Sequence, residues 1–97
     1  MTAKHVVIVT FEPEAGSADE FHRLMQSVKA DLPKVKGCDS VLVLRHGSAE
    51  TQYTLVEEWQ DAALHSAHLE RMVSSGAWAK LEALLSAPPC SDFYVPL

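Results

Sequence analysis

Apolar and polar positions follow two different periods along this chain of 97 residues. Residues 4–11, KHVVIVTF, are β-branched and almost continuously apolar. That run predicts a strand with both faces covered. Glu12-Pro13-Glu14-Ala15-Gly16 breaks it. The period then becomes helical, with Phe21, Leu24, Met25, Val28 and Leu32 forming one apolar stripe. Ser17 and Glu20 have the spacing of a capping box, in which each side chain would satisfy a free backbone N–H. Pro33 stops the helix, because proline lacks an N–H and its ring disfavours helix in the residue before it.

Strand-like patterning returns after Lys34-Val35-Lys36-Gly37. Residues 38–46, CDSVLVLRH, and 51–59, TQYTLVEEW, are joined by Gly47-Ser48-Ala49-Glu50, which predicts a hairpin and so an antiparallel pair. Alternation along the third strand puts Tyr53, Leu55, Glu57 and Trp59 on one face and Thr54, Val56 and Glu58 on the other. Asp61 is a suitable N-cap for a second helix, whose inner face carries Leu64, His65, His68 and Met72 at i, i+3, i+4 spacing. Ser74-Ser75-Gly76 interrupts that helix. A further helical segment covers 77–85, with Trp78, Leu81, Leu84 and Leu85 apolar, and Pro88-Pro89 follows it. Residues 90–95, CSDFYV, form a last short strand.

The order is β-α-β-β-α-β, an α+β, ferredoxin-like pattern with an antiparallel sheet, read as a single domain over 1–97. Two helices cover one face of such a sheet. These strands are apolar on both faces, so the uncovered face is expected to pack on a second copy. Length argues the same way, because a domain this small buries only about 60–70% of its unfolded surface.

Composition narrows the function classes. The net charge is −5 and no basic stripe is present, which argues against nucleic acid and anionic membrane as partners. No stretch approaches the roughly 20 apolar residues of a membrane span. The apolar run near the N-terminus is too short for a signal peptide and has no cleavage site, so a cytoplasmic location is expected. Cys38 and Cys90 lack metal-site spacing and read as free, mostly buried thiols. His65 and His68 stand three apart without a third ligand placed by the sequence, so no metal is expected.

Several pieces together resemble the antibiotic biosynthesis monooxygenase family, small proteins of the dimeric α+β barrel superfamily. They are the opening strand, loop and capped helix of HVVIVTFEPEAGSADEF, Gly37-Cys38 before the second strand, and Val56-Glu57-Glu58-Trp59 at the end of the third. His68-Leu69 follows on the second helix, and the chain closes with Tyr94-Val95-Pro96-Leu97. The resemblance covers nearly the whole chain and implies a homodimer joined through its sheet faces, with a pocket between sheet and helices. It implies an oxygenase without metal, flavin or other cofactor, acting with O2 on a small phenolic, quinol or anthrone-like aromatic. His68 is then the candidate catalytic base, since histidine titrates near neutrality. Trp59, Tyr53, Trp78, His65 and Met72 are the candidate substrate-binding residues, and each could instead be a core side chain. Glu57 and Glu58 read as one buried or interface-paired carboxylate and one solvated.

The chain departs from the family's haem-degrading branch: it contains no asparagine, and Gly76-Ala77-Trp78-Ala79-Lys80-Leu81-Glu82 has no histidine. Two alternatives share the fold, a non-enzymatic binding or stress-associated module and an isomerase. A core plugged by Trp59, Trp78, Met25 and Met72 would favour the binding module. A roomy cavity reached by His68 would favour an enzyme.

Overall fold

The computed structural model describes residues 4–49 and 51–97. Its elements are β1 (His5–Phe11), α1 (Ala18–Asp31), β2 (Cys38–Arg45), β3 (Tyr53–Trp59), α2 (Ala62–Ser75), α3 (Ala77–Glu82) and β4 (Cys90–Tyr94). The four strands form one antiparallel sheet in the order β2-β3-β1-β4. This is the ferredoxin-like α+β arrangement.

The register explains how the site is built. On the helix-facing side, Val41, Glu57, Val7 and Phe93 lie in one row across the sheet, and Val43, Leu55, Val9 and Ser91 in the next. Trp59 ends β3 opposite His5 on β1 and Cys38 on β2. Val9, Phe11, Phe21, Met25, Tyr53, Leu55 and Leu81 form the larger core cluster, and Val7, Leu32, Cys38 and Trp59 a second one. On the opposite side Leu42, Val56 and Ile8 share a row, with Leu42 55% exposed. β1 is therefore covered on one face only in the single chain: Val7, Val9 and Phe11 are buried, and Val6, Ile8 and Thr10 half-buried.

Several local expectations are corrected. Ser17 makes no side-chain cap to α1. Ala15–Ser17 form a 3-10 turn instead, and the Ala18 N–H bonds to the Ala15 carbonyl, so the backbone does part of what the capping box would do. The helix gives way at Leu32–Lys34 to a second 3-10 turn that holds Pro33. β3 begins at Tyr53, because the Gln52 N–H is used by the Ala49 carbonyl to close the hairpin. The last helical segment ends at Glu82 rather than Leu85. The backbone beyond it pairs with the loop after β1, through Glu14 N–H to Leu84 C=O and Ser86 N–H to Glu12 C=O, both 2.8 Å. Asp61 caps α2 as its sequence position suggests, with Oδ1 accepting from the Leu64 N–H at 2.9 Å.

Two glycines do specific work. Gly76 takes a left-handed φ of 84° and divides α2 from α3. Gly37 has φ 91°, and a Cβ there would stand 2.6 Å from Leu64 Cβ. Only glycine lets the start of β2 pass this close to α2.

Candidate functional site

The alternation of β3 leaves a cavity of about 600 Å³ between the helix-facing side of the sheet and the three helices. Its walls are mainly aliphatic and aromatic: Val7, Val9, Phe11, Leu55, Met25, Val28, Leu69, Met72, Trp78 and Leu81. Exposed Ser27, Asp31, Ala77, Ser91 and Phe93 mark where it meets solvent. Inside, the polar side chains are Glu57 from β3 and His65 and His68 from α2. Among the described residues no lysine or arginine lines it.

Glu57 is buried, and its Oε1 accepts the indole N–H of Trp59 at 2.9 Å. Both residues face the helices because they are two apart on a strand. Burial raises the Glu57 pKa, and the Trp59 N–H partly offsets the shift by holding the charged form. Trp59 is fully buried, and the His65 and His68 rings approach it from α2 with centroids 5.3 and 5.4 Å away. Burial, with lesser contributions from the neighbouring His5 and His68, lowers the His65 pKa to about 4. His68 is lowered first by burial and then by the Arg71 charge. Both shifts favour the neutral imidazole near neutral pH. Among the described residues no cluster of three acidic, histidine or cysteine side chains could hold a metal ion.

Residues 4–85 match the model of the family described as antibiotic biosynthesis monooxygenase. The chain belongs to that family. No curated protein matches it. Among solved structures, a Nitrosomonas europaea protein provisionally named an antibiotic biosynthesis monooxygenase superposes with a TM-score of 0.86 at 15% identity, over 100% of this chain and 93% of that one. Rv0793 from Mycobacterium tuberculosis gives 0.85 at 18% identity, over 98% and 96%. A provisionally named family member from Deinococcus radiodurans gives 0.81 at 19% identity, over 93% and 89%. At these identities the likeness concerns the fold.

Within this antibiotic biosynthesis monooxygenase fold, the candidate residues separate. His65, His68, Met72 and Trp78 line the cavity. Trp59 does not line it directly but sits beneath its polar end, bonded to Glu57 and against both histidines. Tyr53 lies elsewhere: its hydroxyl is 2.8 Å from His22 Nδ1 on α1, and its ring packs on Phe21. Glu58 is on the other side of the sheet and pairs with Lys4 at 2.7 Å. Cys38 is buried, and burial pushes its thiol up to about 11, whereas Cys90 is exposed, contrary to the expectation of two mostly buried thiols. No helix among the described residues is long and apolar enough to cross a membrane.

Sequence reasoning underweighted Glu57 and missed His5. The signal for Glu57 was present, since an acid shared a strand face with Tyr53, Leu55 and Trp59. His5 meets His65 and Phe93, with ring centroids 5.3 and 5.0 Å apart, only through the β1–β3 and β1–β4 registers. No local pattern could have shown that.

Proposed function

We propose that the protein is a cofactor-independent monooxygenase that oxidises a small phenolic, quinol or anthrone-like aromatic with O2. The observation that carries this reading is the apolar cavity of about 600 Å³ with a neutral His68 on its wall. Its volume falls within the roughly 300–1,000 Å³ common to small-molecule sites. Met25, Met72 and Trp78 form walls around open space rather than plugging it, which favours an enzyme over a binding module.

In this reading His68 takes the acidic proton of the bound ring, and the electron-rich anion reacts directly with O2. For a phenol oxidised to a quinone, one oxygen atom becomes the new carbonyl. The other leaves as water with the hydrogens of the reacting C–H and O–H. His65, Met72 and Trp78 enclose the ring, and Trp59 supports the polar end from below. The protein works as a homodimer that buries the row of Leu42, Val56 and Ile8 against its copy. Val56→Lys then yields a monomer by sedimentation, and a wild type that sediments as a monomer at micromolar concentration refutes the dimer.

Oxygen uptake with a panel of quinols, phenols and anthrones tests the activity. Wild type consumes oxygen above the buffer rate, and His68→Ala loses most of that rate. No uptake with any compound refutes the oxygenase. Turnover that persists without oxygen assigns the cavity to an isomerase instead.

A further inference from the structure

We infer that Glu57 is the cavity's receptor for a ring hydroxyl and makes the site selective for neutral, hydroxyl-bearing aromatics over carboxylate-bearing ones. This deepens the reading above and rests on the cavity being the substrate site. Three observations carry it.

First, Glu57 is the acid on an otherwise apolar floor, with Val41 and Val7 on either side in the sheet register and Leu55 two positions back on its own strand. Second, one carboxylate oxygen is engaged by the Trp59 N–H at 2.9 Å. No other side-chain donor among the described residues bonds the carboxylate, which borders the open space. A ring hydroxyl entering the cavity can donate to it, and a charge-assisted bond of that kind is among the stronger ones available. Third, among the described residues the lining carries no lysine or arginine to meet an anion. Exposed Arg71 is felt at His68 but does not line the space, and Asp31 at the mouth adds a second negative charge. An aromatic carboxylate would have to leave water and lie beside Glu57 without a counter-ion, which is strongly unfavourable. His65 is a poorer receptor, because its ring is buried against Trp59, His5 and Phe93.

The test is equilibrium binding of three probes with the same ring system, naphthol, methoxynaphthalene and naphthoate, by calorimetry at about pH 8, where a phenol keeps its proton. Wild type binds naphthol roughly 10-fold or more tighter than its methyl ether, which cannot donate a hydrogen bond. Naphthoate binds more weakly than either. Glu57→Gln keeps the shape and removes the charge, so naphthoate gains roughly 10-fold while the preference for naphthol over the ether narrows. If wild type binds all three alike, prefers naphthoate, or binds none of them, the inference is overturned. These wild-type comparisons decide the matter even if the variant does not fold. A protein that discriminates as stated but consumes no oxygen keeps Glu57's role and loses the oxygenase reading; uptake of oxygen without discrimination does the reverse.

Discussion

Replacing Trp59 with phenylalanine keeps a ring at the end of β3 and deletes the donor that holds Glu57. Trp59 is fully buried against Val7, Leu32 and Cys38. The smaller ring loses contacts there and leaves a void, costing about 1–2 kcal/mol. Its N–H is the 2.9 Å partner of Glu57, and losing a bond to a charged acceptor costs about 1.5–3 kcal/mol more. The sum is roughly 2.5–5 kcal/mol near neutral pH. The second part depends on pH. Glu57 has a folded pKa above its ordinary value of 4.5, so the folded state binds the proton more tightly. For such a group, stability is highest below the unfolded pKa and falls as pH rises through the folded one. Without the indole N–H the folded pKa climbs further, so the fall is deeper. The variant's deficit against wild type is therefore smaller by about 1 kcal/mol at about pH 4 than at about pH 7, the difference between a neutral and a charge-assisted bond. Urea unfolding followed by circular dichroism measures it, with protomer concentration held fixed because association shifts apparent stability. A deficit equal at the two pH values, or larger at the acidic one, refutes the argument that Trp59 supports a buried charge.

Three further outcomes are expected. Gly37→Ala combines a left-handed backbone with a Cβ placed 2.6 Å from Leu64 Cβ, so its urea midpoint drops by the equivalent of at least about 2 kcal/mol. Tyr53→Phe loses only the bond to exposed His22, costs under about 1 kcal/mol, and leaves oxygen uptake and probe binding unchanged, since Tyr53 is outside the cavity. If His68 acts as a neutral base, its burial-lowered pKa lets oxygen uptake persist as pH falls through 6.5, the ordinary imidazole value, and a rate already lost above that value contradicts the assignment.

Periodicity carried most of the fold into view. The strand runs, the stripe from Phe21 to Leu32 and the Asp61 cap are local features, and the elements they predict are present. The differences lie where tertiary partners decide. Backbone pairing with Glu12 and Glu14 draws residues 84–86 out of helix, and no side-chain pattern encodes that pairing. The site divided along the same line. His65, His68 and Met72 were legible because helical spacing alone puts them on one face. Tyr53 falls outside the cavity wall, because strand alternation gives its face but not its position along the strand. It is far enough from the Glu57 end to meet α1 instead, where its hydroxyl and His22 Nδ1 are hydrogen-bonded.

Glu57 shows how a conflict between local and global pattern can mark a site. Its neighbours across the sheet are valines, and an aliphatic side chain there would avoid the desolvation of a buried carboxylate that has one side-chain donor among the described residues. Trp59 could likewise be phenylalanine if the acid were absent, because its N–H would then have no buried partner to serve. The two polar groups make structural sense only as a pair. Desolvation of the carboxylate offsets much of what the bond between them contributes to the fold. What it adds is a carboxylate fixed by one oxygen, at the polar end of an apolar space, beneath two neutral imidazoles. That arrangement costs stability in the empty protein, and a hydroxyl-bearing ring lying between β3 and α2 would supply Glu57 with a second hydrogen-bond donor.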